Sequence, residues 1–187
     1  MPLPPHGGTL VDRLMTPEEA RALAARAREM PRLTLNNREA SDLRMIATGA
    51  FSPLTGFMSR ADYDGVVKNA HLSSGLPWTI PVTLSTDRHQ ADELREGMEI
   101  ALFDQDHALL GSMKLREKYA YDRQFEATQV FRTADQAHPG VANLFAQGDV
   151  LLGGDTKAVP FKPAGSYTEL QRNPAQTRAA IEERGWR

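Results

Sequence analysis

Between Arg38 and Met58 the chain changes character within a few residues, and what it does there restricts everything around it. Leu43, Ile46 and Ala47 fall on one side of a helical wheel and Arg38, Glu39 and Asp42 on the other, which predicts an amphipathic helix. Gly49 stands where that helix would stop, because glycine takes the left-handed conformation that ends helices at no steric cost. Ala50, Phe51, Leu54, Phe57 and Met58 follow, interleaved with Ser52, Pro53, Thr55 and Gly56. The segment is turn-rich, yet as an ordinary solvated loop it would expose two Phe, a Leu and a Met. It is therefore expected to pack, either within its own domain or against a neighbouring one.

A chain of 187 residues has room for one domain of ordinary size and a small appendage. Its 41% apolar and 25% charged residues give a globular balance. No apolar run approaches the ~20 residues of a membrane span. The opening M-P-L-P-P-H-G-G lacks the basic and apolar regions of a secretory signal, so none is expected. The absence of cysteine removes disulfides, thiolate metal sites and a cysteine nucleophile together, and fits a cytoplasmic protein. A net charge of -2 without a dense basic stripe argues against nucleic acid as a partner. Arg21, Arg26, Arg28, Arg32, Arg38 and Arg44 make the first third locally basic, which reads as solvated helix faces and intradomain ion pairs.

Helix starts are well marked. Thr16 caps a first helix, with Pro17 at its first position, Glu19 completing a capping box, and Ala20, Leu23, Ala24 and Ala27 as its buried stripe. Ser59 caps another, with Asp62 three residues on. Further helices are expected over 87–95, over 122–133 with Phe125 and Phe131 as apolar anchors, and from His138-Pro139 to Gly148. Short strands are expected near Leu10 and Val11, over 32–35, and over 79–85 at a sheet edge because of Pro81. A hairpin pairs a strand after Gly97 with a long one over 108–121, through a turn at Asp104–His107. Residues 149–152 and 156–161 read as two strands joined by a Gly153-Gly154-Asp155 turn. Residues 162–173 form a linker, after which Asn173 and Pro174 open a last helix that runs to Gly185.

No catalytic, cofactor-binding or metal-ligating residue emerges. His6, His71, His89, His107 and His138 are too far apart in sequence to place two imidazoles on one helical face. Asp104 and Asp106 begin like a calcium loop, but Ala108 and Leu109 stand where a ligand and the obligatory glycine should be. There is no phosphate-binding G-x-x-x-x-G-K-[ST] loop, no G-x-G-x-x-G and no G-x-S-x-G elbow around Ser52. Glu93, Glu96, Glu182 and Glu183 read as solvated helix faces.

Several segments carry a family resemblance. S-D-L-R-M-I-A-T followed by G-A-F-S-P-L-T-G-F-M at 49–58 resembles the N-terminal domain of the ATP sulfurylase (sulfate adenylyltransferase) family. P-H-G-G-T-L-V-D-R-L at 5–14, G-L-P-W-T-I-P-V-T-L at 75–84, A-H-P-G-V at 137–141 and G-D-V-L-L-G-G at 148–154 occur in the family's order. The resemblance covers essentially the whole chain. It implies an α+β fold: a PUA-like β-barrel with peripheral helices over 1–165, then a linker and the truncated start of a catalytic domain over 166–187. It further implies a parent enzyme that makes adenosine 5′-phosphosulfate and pyrophosphate from ATP and sulfate, with magnesium accompanying the nucleotide, and that is a homo-oligomer at full length. The family's Q-T-R-N-P and H-x-x-H motifs belong to the catalytic domain. Gln176-Thr177-Arg178 is followed by Ala179-Ala180 and lies in a helical pattern, so no catalytic residue transfers to this chain. The chain is expected to be inactive alone. The competing expectation, a stand-alone PUA-like module that binds RNA, draws only on the arginine-rich first third.

Overall fold

Local capping chemistry decides where the helices of this computed structural model begin; it describes residues 3–162 and 165–186. Helix α1 (Pro17–Arg26) starts with the Thr16 hydroxyl accepting from the Glu19 amide at 3.2 Å while the Glu19 carboxylate accepts from the Thr16 amide at 2.9 Å. Helix α2 (Asn37–Ala47) has the same reciprocal pair between Asn36 and Glu39, at 3.0 and 3.1 Å. Ser59 caps α3 (Arg60–Asn69), Asp87 caps α4 (Arg88–Glu93), Asp122 caps α5 (Arg123–Glu126) and His138 caps α6 (Pro139–Phe145). Asn173 caps α7 (Pro174–Glu183).

Six strands form one sheet: β1 (Arg32–Thr34), β2 (Gly56–Phe57), β3 (Leu84–Thr86), β4 (Glu99–Phe103), β5 (Leu109–Ala120) and β6 (Val150–Ala158). Their order is β1-β4-β5-β6-β2, with β3 also paired to β6. Among the described residues the strand path does not return on itself. The chain is a mixed α/β fold with an open sheet, and the closed barrel expected from the resemblance is not what the strands make.

The chain divides into two compact units. The first comprises Met1–Gly56, Glu99–Met113 and Thr156–Arg187. In it β1 runs parallel to β4, with Leu33 opposite Leu102. Leu23, Leu33, Leu43, Ile46, Ile100 and Leu102 are buried in it, and each such side chain contributes about 1.5–3 kcal/mol. The strand expected near Leu10 and Val11 is absent. The arm instead gives the Val11 amide to the Ser52 hydroxyl (2.9 Å) and the Arg13 amide to the Ala47 carbonyl (2.9 Å), and Leu14 makes an isolated parallel bridge with Ala158 through the Met15 amide (2.9 Å) and the Arg13 carbonyl (3.0 Å). Gly49 has φ 82°, and a Cβ there would run into the Val11 carbonyl, so the helix stop and the seating of the arm need the same glycine.

The second unit comprises Phe57–Met98 and Lys114–Asp155. Here β3 is antiparallel to β6, with Leu84 opposite Leu152. Tyr63, Val66, Leu115, Leu144 and Leu151 are buried. The strand expected over 79–85 shrinks to Leu84–Thr86, because Pro81 cannot donate to a ladder. The helix expected over 122–133 is α5 continued by a π-helical turn over Ala127–Phe131. Phe125 is 42% exposed, whereas Phe131 packs on the buried cluster of Ala127, Val141 and Leu144.

Two strands were expected around Gly153-Gly154-Asp155; the structure has one uninterrupted strand, β6. The glycines are there for close approach. A Cβ on Gly153 would lie 2.8 Å from the Met58 carbonyl oxygen, and one on Gly154 would collide with the Lys114 carbonyl.

The apolar loop after α2 packs within the chain itself. Leu54, Phe57 and Met58 are buried and Phe51 is half-buried. The Ser52–Pro53 peptide is cis.

Candidate functional site

Several of the polar residues singled out in the sequence have structural partners. The Ser52 hydroxyl is buried, donates to the Gly49 carbonyl at 2.6 Å and accepts from the Val11 amide, so it holds a loop. The Asp104 carboxylate accepts from the amides of Asp106 (3.0 Å) and Ala108 (2.8 Å), which makes it the hub of a turn. His138 Nδ1 accepts from the Gly140 amide at 3.1 Å, a capping role. His6, His71, His89 and His107 are exposed. Gln176 completes the capping box of α7 with Asn173, so Gln176-Thr177-Arg178 lies in the first turns of a helix. No group of three or more His, Asp or Glu side chains among the described residues could hold a metal ion.

The second unit buries a tyrosine cluster. Tyr63 donates to the Glu126 carboxylate at 2.7 Å, Tyr119 to the Met58 carbonyl at 2.9 Å and Tyr121 to the Gly148 carbonyl at 2.9 Å. Burial pushes all three phenols above their ordinary range; nearby carboxylates add to this for Tyr63 and Tyr119, while Arg123 opposes it for Tyr121. They stay protonated as donors, which suits packing and excludes base chemistry. A shallow cavity of about 400 Å³ beside them is lined by Tyr121, Arg123 and Asp149. Its guanidinium is already spent on the Gln147 carbonyl (2.6 Å) and the Asp149 carboxylate (2.9 Å).

The first unit holds the larger opening, a cleft of about 1000 Å³. Helix α2 contributes Arg44 and Met45, the residues after β6 contribute Phe161, and the last segment contributes Arg172, Arg178 and Ile181. The Arg44 guanidinium lies 5.6 Å from the centre of the Phe161 ring, and Arg178 donates to the Leu3 carbonyl at 2.7 Å. The lining includes no carboxylate, histidine or tyrosine. Thr48 and Thr177 in the lining donate to the carbonyls of Arg44 (2.9 Å) and Asn173 (3.1 Å). Among the described residues, the lining therefore holds no side chain of the types that usually serve as general base. It can receive apolar and anionic surface.

Sequence reasoning missed this cleft. Its three arginines lie far apart at 44, 172 and 178, and Arg44 was grouped with the solvated cations. That grouping holds for Arg21, Arg26 and Arg38, which pair with Glu18, Glu99 and Asp42.

Comparison with known proteins places the chain. The PUA-like domain family matches residues 3–160. The sulfate adenylyltransferase of Synechococcus sp. (strain JA-3-3Ab) is 48% identical over 185 residues, which are 99% of this chain and 47% of that protein. The sulfate adenylyltransferase of Symbiobacterium thermophilum is 49% identical over 183 residues, covering 98% of this chain and 46% of that protein. Among solved structures, the hexameric APS kinase from Thiobacillus denitrificans superposes with a TM-score of 0.72 at 30% identity, over 98% of this chain and 32% of that one. The chain thus spans about half the length of the curated relatives it matches. Matched over nearly all its described length, the chain belongs to the PUA-like domain family, and its relatives across that whole span are proteins named sulfate adenylyltransferase.

Proposed function

We propose that this chain is the N-terminal, PUA-like half of a sulfate adenylyltransferase. In that enzyme ATP and sulfate are converted to adenosine 5′-phosphosulfate and pyrophosphate in the half that the chain does not contain. One observation carries the reading: 48% identity along 99% of the chain to a protein of that name, of which the chain makes up 47%. No chemical step is routed through the residues of this chain. Residues 1–165 are then the PUA-like domain and 166–187 the approach to the catalytic domain. The whole enzyme is cytoplasmic and a homo-oligomer, with sulfate and Mg-ATP bound by the other half. No helix among the described residues is long and apolar enough to cross a membrane.

The test is an assay of ATP formation from adenosine phosphosulfate and pyrophosphate. It compares the 187-residue chain with a chimera in which this chain replaces the matching segment of the Symbiobacterium thermophilum protein. The chimera should turn over and the chain alone should not. Turnover by the chain alone, or a folded chimera without activity, would overturn the proposal.

A further inference from the structure

We propose that His138 is a proton-operated latch: its neutral imidazole holds the start of α6 and the π-helical turn packed beside it, and protonation releases both. The latch lies within the second unit and does not depend on the function proposed above. Pro139, the first residue of α6, has no N–H, so the Gly140 amide is the first donor that the helix leaves without an internal partner. His138 Nδ1 accepts from it at 3.1 Å. An amide only donates, so this nitrogen carries no proton, and the imidazole is neutral with its proton on Nε2. Asn, Asp and Ser are the usual caps, and none of them loses its acceptor near neutral pH. A histidine in their place makes the cap depend on protons in the range of about pH 5–8.

The same ring is tied to its surroundings. Its centre lies 5.3 Å from that of the Phe131 ring, at a tilt of 48°. Phe131 ends the π-helical turn and packs on the cluster of Ala127, Val141 and Leu144. Gly140 lets the two rings come this close, since a Cβ there would stand 2.5 Å from Phe131 Cε1 and 3.1 Å from His138 Cε1. Arg132, the next residue, is held at φ 59°, a conformation that residues other than glycine rarely adopt, so the end of the turn relies on its contacts.

Protonation sets an N–H against the Gly140 N–H, two donors 3.1 Å apart, and places a positive charge at a helix N-terminus. The attraction of an imidazolium for the Phe131 face does not remove that clash, because it acts on the same ring in the same place. His138 is exposed, so protons reach it. Neither α6 nor the π-helical turn carries a charged side chain. Of the charged residues between them, Arg132 is exposed and the Asp135 carboxylate accepts from the Ala137 amide at 2.8 Å. No ion pair joins either to His138 among the described residues. The segment is therefore firmest above the imidazole range and loosens as pH falls through it.

The test is amide hydrogen exchange of the 187-residue chain at about pH 8 and about pH 5, corrected for the intrinsic pH dependence of exchange. Amides of residues 127–132 and 140–146 should lose protection roughly fivefold or more at the lower value. Imidazole nitrogen chemical shifts at the higher value should place the His138 proton on Nε2. His138→Asn supplies an acceptor that does not titrate and should keep protection at both values. Asp135→Asn should leave the response as it is in the parent chain. Equal protection at the two values would overturn the proposal, as would a neutral ring protonated on Nδ1. So would a response that survives His138→Asn or vanishes in Asp135→Asn. A loss of protection shared by α2 would mark general acid unfolding and would overturn it too.

Discussion

Asp42 lies on the flank of α2 with its side chain 16% exposed and the Arg38 guanidinium 2.8 Å away. Burial pushes its carboxyl up from the usual 3.8 to about 6; Arg38 opposes the shift and Glu39 adds to it. The native state therefore holds this proton more tightly than the unfolded chain does. Stability is greatest when Asp42 is protonated and falls as pH rises from about 4 to about 6, after which the group adds no further slope. Urea unfolding should show a decline of about 2–3 kcal/mol across that window from this group. Asp42→Asn should remove that decline; parallel profiles for the two proteins would refute it. The neighbouring loop gives a second expectation. Phe57 is 3% exposed and Phe51 only half-buried, so Phe57→Ala should cost about 3–5 kcal/mol and Phe51→Ala clearly less, read as thermal melting. The dense apolar content of that loop was legible as a demand for packing. Which of the two rings would be deeper was not, because that depends on β2 and the residues paired with it.

At the scale of elements, what is local was readable and what is close-packed was not. The starts of α1, α3 and α7 follow from a cap and its third neighbour, chemistry confined to four residues. Thr16→Ala should accordingly cost about 1 kcal/mol of stability in a urea titration, with no change elsewhere in the fold. Gly153-Gly154 looked like a turn because two adjacent glycines usually are one. The reason they lie inside β6 is the nearness of the Met58 and Lys114 carbonyls, which sequence spacing does not reveal. Gly154→Ala should lose about 1–3 kcal/mol through overpacking against the Lys114 backbone. A wild-type unfolding midpoint for that variant would show that the strand can yield there.

Across the whole molecule, the motifs that revealed family revealed nothing about the cleft. Those motifs are contiguous runs such as residues 49–58, whereas the cleft is assembled from residues 44, 161, 172 and 178. No periodicity links them, and only folding brings them together. The same structure predicts an uneven distribution of stability. Helix α2 buries Glu39, Ala40, Leu43, Ile46 and Ala47, so its amides should open only with global unfolding. Helix α7 buries no residue, and beyond its hydrogen bond from Arg178 to Leu3 it contributes mainly one wall of an open cleft. In the 187-residue chain its amides should exchange through local opening, at rates at least roughly a hundredfold faster than those of α2. Comparable protection in the two helices would mean that α7 is held by the chain's own packing.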